Sequence, residues 1–113
     1  EDVTIGLPWA VLLGFLRIST RGGIFPAPLT TAQALDVIEG WLDHPSVVPL
    51  TPGPTHWQEL RKLVEAAGTA GNLTTDAHLA ALAIEYGAVL VSSDNDYARF
   101  EPALRFENPL KST

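Results

Sequence analysis

Residues 74–106 read TTDAHLAALAIEYGAVLVSSDNDYARFEPALRF, and this stretch decides the fold. Thr74 or Thr75 caps a helix, DAHLAALAIEY (76–86), that Gly87 closes. An unbroken apolar run, Ala88 to Ser92, follows. It reads as a strand buried on both faces, the kind found in parallel sheets. DNDYARF (94–100) predicts one helical turn, and Leu104 to Phe106 a last edge strand. Two carboxylates, Asp94 and Asp96, therefore stand where the buried strand surfaces.

The rest of the chain repeats the alternation of strand and helix. Val3 to Ile5 predicts a short strand. Pro8 suits the first turn of a helix, where its missing N–H costs nothing. That helix, WAVLLGFLRIS (9–19), is apolar nearly all round and is expected to be buried. RGGIFPAP (21–28) is a loop, punctuated by glycine and proline. Thr30 or Thr31 caps TAQALDVIEGWL (31–42), which Pro45 ends. Val47 to Leu50 predicts a second strand, TPGP a turn, and HWQELRKLVEAA (56–67) an amphipathic helix closed by Gly68. The tail ENPLKST is expected to be loose. Alternating strands and helices argue for an α/β fold with a parallel sheet covered on both faces.

Composition narrows the function. The chain has 113 residues and is 46% hydrophobic, enough for the core of a single domain over 1–113. It contains no cysteine, which rules out a disulfide framework or a thiolate metal site and is compatible with the cytoplasm. No run approaches the ~18 apolar residues of a membrane span. The acidic start, EDVTIG, is not a signal peptide. The net charge is −6, from 13 acidic and 7 scattered basic residues. This balance argues against a phosphate-binding surface built on bulk positive charge. It does not argue against a carboxylate site loaded with divalent cations, because the cations bring their own charge.

Asp76, Asp94 and Asp96 each have two readings. Asp76 in the first turn of its helix complements the helix dipole. Asp94 and Asp96 can serve as turn and cap residues. Taken together they point elsewhere. Ligands of open parallel sheets bind beyond the carboxyl ends of the strands. A right-handed crossover puts the start of the Asp76 helix on the same side of the sheet as Asp94. Three converging carboxylates repel one another, and a hard divalent cation relieves that. Mg²⁺ and Mn²⁺ prefer oxygen ligands. Such a site suits phosphodiester hydrolysis.

Asn72 and Ser92 flank these acids. They can orient the carboxylates through hydrogen bonds, or serve only in turn chemistry and strand-end solvation. Arg17 can face a phosphate or snorkel to solvent. His44, His56 and His78 read as isolated surface or packing residues without zinc-ligand spacing. Trp9, Trp41 and Trp57 read as core. No G-x-S-x-G elbow and no glycine-rich phosphate loop is present. No acidic pair follows the first strand, which argues against a phosphoryl-accepting receiver.

The stretch GNLTTDAHLAALAIEYGAVLVSSDNDYARF resembles the carboxyl-terminal half of PIN-domain ribonucleases of the VapC toxin type. That family opens a helix with Asp in a D-A-x-L-A-A-L-A setting and follows the next strand with (T/S)-x-D-x-D-(F/Y). The matching residues are Asp76, then Ser92, Asp94, Asp96 and Tyr97. GLPWAVLLGFLRIST and IFPAPLT resemble one subgroup of these toxins. The resemblance implies a PIN-like three-layer α/β/α fold with a central parallel sheet. It implies an endoribonuclease dependent on Mg²⁺ or Mn²⁺, cutting structured RNA such as tRNA or rRNA by a metal-activated water. A VapB-type antitoxin partner and a homodimer are implied as well. By carry-over, Asp76 and Asp94 are metal ligands, Asp96 an auxiliary ligand, and Ser92 a support.

Two departures stand out. The family's first strand carries a V-D-x-(N/S) motif that nothing here matches, and that strand is central to its sheet. The expectation is a fragment lacking the family's first strand and helix. The family also places Glu in a G-E-L-R-like setting, where this chain has Gly14-Phe15-Leu16-Arg17. The alternative function is therefore a catalytically impaired PIN-like module that binds an antitoxin, through apolar helices such as the one around Trp41.

Overall fold

A computed structural model describes residues 3–23 and 27–110. Part of the predicted loop at 21–28, its counterpart in the toxin resemblance, and the end of the tail lie outside these residues. The chain divides into two compact units, Glu1–Thr51 and Pro52–Thr113.

The first unit contains β1 (Ile5–Pro8), α1 (Trp9–Ser19), α2 (Thr31–Asp43) and β2 (Val47–Leu50). β1 and β2 pair in parallel, with Ile5 opposite Val47 and Pro8 opposite Leu50. Pro8 also stands at the start of α1, with φ −65°, which its ring presets. Thr30 caps α2 through a full capping box. Its Oγ1 accepts the Gln33 N–H at 3.1 Å, and its own N–H donates to Gln33 Oε1 at 2.9 Å. Such a cap contributes about 1 kcal/mol.

Helix α1 is not the buried helix its composition predicts. Leu12 and Ser19 are buried, but Trp9, Val11, Leu13 and Ile18 are exposed. Within its unit α1 packs on α2 and β1, and these cover one stripe around Leu12. Apolar composition measures how much a helix can bury, not how many neighbours it has.

The second unit contains α3 (His56–Ala67), a 3₁₀ turn (Gly71–Leu73), α4 (Thr74–Glu85), β3 (Val89–Val91), a 3₁₀ helix (Asn95–Phe100) and β4 (Arg105–Glu107). Gly68 and Gly87 close α3 and α4 with φ of 77° and 61°. These are left-handed conformations that a Cβ disfavours. Helix α4 packs on α3, β3 and the 3₁₀ helix. Ala77, Ala80 and Ala81 are fully buried on it. Their i, i+3, i+4 spacing makes one narrow face, and their small side chains let the neighbouring helix come close. Leu63, Leu73, Tyr97, Phe100 and Leu104 complete this core.

β3 and β4 are parallel, with Leu90 opposite Phe106. The α/β class and parallel pairing follow the reading of the sequence. The ladders are two, of two strands each, and not one continuous sheet among the described residues. The strands are also not covered on both faces: Val48, Val89 and Val91 are exposed. The tryptophans are not core either, since Trp9, Trp41 and Trp57 all keep a third or more of their surface exposed. No helix of the described residues is long and apolar enough to cross a membrane.

Candidate functional site

Three elements of the second unit position the acids. Asp76 lies in the first turn of α4 and is half-buried. Asp94 follows β3 as the N-cap of the 3₁₀ helix, and its Oδ1 accepts the Asp96 N–H at 2.9 Å. The capping reading of Asp94 therefore holds, and it engages one carboxylate oxygen. Asp96 takes part in that cap through its backbone, while its side chain is exposed.

Tyr97 joins the two halves. Its ring is buried against Phe100 and Phe106, with centroids at 6.4 and 6.0 Å. Its hydroxyl donates to Asp76 Oδ1 at 3.1 Å. A carboxylate only accepts, so the direction of this bond is settled. Burial, then the charge and hydrogen bond of Asp76, then the charge of Asp94, push the Tyr97 pKa above the usual tyrosine range. The start of α4 and the 3₁₀ helix that follows β3 are thus joined by one hydrogen bond, from Tyr97 to Asp76.

The three acids do not form one tight cluster. Among the described residues, no group of three or more His, Asp or Glu side chains is close enough to hold a metal ion. Asp76 accepts the Tyr97 hydroxyl and Asp94 accepts the Asp96 N–H, each through its Oδ1. Oxygen donors of this kind suit a hard divalent cation that keeps several of its waters.

The flanking residues divide. Ser92 Oγ accepts the Asp94 N–H at 3.1 Å, so it shapes the turn through the backbone. Asn72 is exposed in the 3₁₀ turn ahead of α4. Arg17 is exposed in the last turn of α1, in the first unit. Phe15 packs against Trp41 with ring centroids 4.8 Å apart and the rings tilted by 58°, a packing role in the position where the family resemblance expects Glu.

Two features escaped the sequence. The described part of the tail is tied to the chain: Asn108 Nδ2 donates to Asn95 Oδ1 at 2.8 Å and to the Ser93 carbonyl at 3.3 Å. It ties down the loop between Asp94 and β3. The Asn-Pro pair at 108–109 is the turn signal that could have marked it.

The histidines are the second feature, and the isolated-residue reading of His56 and His78 is wrong. His56 Nδ1 lies 2.6 Å from Glu85 Oε2, and His56 Nε2 lies 2.9 Å from His78 Nδ1. Glu85 Oε1 also accepts the Gly53 N–H at 3.0 Å. In the neutral ring, His56 donates from Nδ1 to the carboxylate and accepts from His78 at Nε2. Burial and then His56 lower the His78 pKa, against an opposing pull from Glu85. The partners come from α3 and α4, 22 and 29 positions apart, so no local spacing reveals them.

The Glu85 side chain is 5% exposed. Glu85→Ala leaves the Gly53 and His56 donors without their acceptor. The expected cost is about 2–3 kcal/mol, read from urea unfolding. A change within about 0.5 kcal/mol, as for an ordinary surface substitution, would contradict this role.

The PIN domain family matches residues 3–101. The chain belongs to this family. Within it, the chain is 47% identical over 107 residues to ribonuclease VapC33 of Mycobacterium tuberculosis, covering 95% of this chain and 74% of that protein. Ribonuclease VapC37 of the same organism is 42% identical over 105 residues, covering 93% and 72%. The fold is similar to a VapBC-1 structure from nontypeable Haemophilus influenzae, with TM-score 0.71 and 15% identity over 96% of this chain and 76% of that one. It is also similar to VapBC2 from Rickettsia felis bound to a promoter DNA fragment. There the TM-score is 0.65 and the identity 22%, over 93% and 74% of the two chains.

Proposed function

We propose that this chain is the toxin of a type II toxin–antitoxin pair, an endoribonuclease dependent on Mg²⁺ or Mn²⁺ and held in check by a VapB-type antitoxin. Its relatives named as VapC ribonucleases support the reaction. The observation that carries the site is the hydrogen bond from the Tyr97 hydroxyl to Asp76, which ties the start of α4 to the 3₁₀ helix that Asp94 caps. Asp76 and Asp94 would hold the cation, with Asp96 as an auxiliary ligand. Bound there, Mg²⁺ or Mn²⁺ supplies charge stabilisation for the phosphate and lowers the pKa of water. The chain's own part is to fix the two carboxylates. The cap bond from the Asp96 N–H fixes Asp94, the Tyr97 hydroxyl fixes Asp76, and Asn108 ties the loop beside them.

The net charge of −6 gives structured RNA, such as tRNA or rRNA, little general attraction. Selection then rests on the cation site. An apolar groove of Ile5, Leu7, Val11, Phe15, Trp41 and Val47 in the first unit suits an apolar antitoxin segment or a second copy in a homodimer. The cytoplasm, where RNA and antitoxin meet, is the matching location.

The rival reading, a binding module with impaired catalysis, draws on Phe15 and on the lack of a three-acid grouping among the described residues. Calorimetry with Mn²⁺ separates them. The enzyme reading expects binding that Asp76→Ala weakens at least about 10-fold. Equal binding by wild type and variant, or none by either, favours the binding module.

A further inference from the structure

Tyr97, a buried residue, touches the proposed ligand Asp76 from within the core. The motif it belongs to accepts either Phe or Tyr, so the ring meets the packing need and the hydroxyl is an addition. That ring is 6% exposed and wedged between Phe100 and Phe106, so its hydroxyl has little freedom. It lies 3.1 Å from Asp76 Oδ1.

A hydrogen bond on Oδ1 competes with a cation for that oxygen. It also fixes the rotation of the carboxylate and leaves Oδ2 as the better donor. Mg²⁺ demands a near-ideal octahedron, takes few carboxylates and keeps its waters. Ca²⁺ takes more oxygens in looser geometry and readily accepts both oxygens of one carboxylate. An Asp76 restricted to one oxygen therefore discriminates between them.

We propose that Tyr97 is a positioning residue that holds Asp76 as a one-oxygen ligand and thereby sets the site's preference for small octahedral cations over Ca²⁺. This rests on the reading of Asp76 and Asp94 as cation ligands. Phe at this position keeps the ring and removes only the hydroxyl.

The test is Tyr97→Phe in the full chain, titrated separately with Mg²⁺, Mn²⁺ and Ca²⁺ by calorimetry, beside wild type and Asp76→Ala. Thermal melting of each protein checks the fold. The expected result is a melting curve close to wild type and a rise of about 10-fold in Ca²⁺ affinity relative to Mg²⁺. A purely structural role would weaken all three cations in proportion. That result, or an unchanged Ca²⁺-to-Mg²⁺ ratio, overturns the proposal while leaving the cation site standing. Wild type that binds none of the cations, or binding that Asp76→Ala leaves unchanged, overturns the site and the proposal together.

Discussion

Asp94→Asn is expected to lower RNA cleavage by the full-length protein about 100-fold or more, the loss typical of removing one preorganised electrostatic group, with the fold unchanged. The two halves of this expectation come from different atoms. Asp94 Oδ1 accepts the Asp96 N–H and so starts the 3₁₀ helix. Asn presents an oxygen in the same place and caps about as well as Asp. The turn, the Ser92 bond to the Asp94 N–H and the placement of Tyr97 therefore survive. What disappears is the charge, and with it the attraction for a divalent cation. The measurement is cleavage of purified RNA in Mn²⁺, paired with circular dichroism and a melting curve. Wild-type cleavage by the variant would sink the assignment of Asp94 as a ligand. Asp94→Ala is the informative companion, because it removes cap and charge together and should also cost about 1 kcal/mol of stability.

What could be read from the chain, and what could not, follows the range of the interactions. Local signals were legible. Gly68 and Gly87 end helices because only they accept the backbone there. Thr30 caps α2, with Gln33 completing the box. The alanines of α4 announced a helix, and their burial confirms which face packs. The Tyr97–Asp76 hydrogen bond was not legible: the expected crossover presumed one sheet, whereas β2 and β3 lie in separate ladders among the described residues.

Burial was less legible. An apolar α1 and apolar strands were expected to be covered, yet Leu13 and Val91 are more than half exposed. Apolar composition says nothing about what lies beside it. The Glu85–His56–His78 chain was invisible for the same reason, since its members meet only when α3 packs on α4. Asp96 shows a further limit: the sequence groups it with Asp76 and Asp94, but its part in the turn is the backbone N–H that Asp94 accepts, with its side chain exposed.

Phe100→Ala should be the most damaging core substitution near the site, costing about 3–5 kcal/mol of unfolding free energy. Phe100 is 4% exposed at the end of the 3₁₀ helix, within the core of Leu63, Leu73, Leu104 and the α4 alanines. Alanines cannot reach into the space a lost ring leaves, so the cavity stays open and the full penalty is felt. The consequence extends to the chemistry. The same short helix begins at Asp94 and carries Tyr97, whose ring packs on Phe100 and whose hydroxyl holds Asp76. Loosening Phe100 loosens all three. Urea unfolding measures the first effect, and a loss under about 1 kcal/mol, typical of less buried sites, would contradict it. Cleavage measured well below the variant's melting temperature measures the second. Phe100→Leu refills most of the space, so it should recover most of both. If Phe100→Leu restored stability but not cleavage, the ring would have a specific part in holding Tyr97 and not only in filling the core.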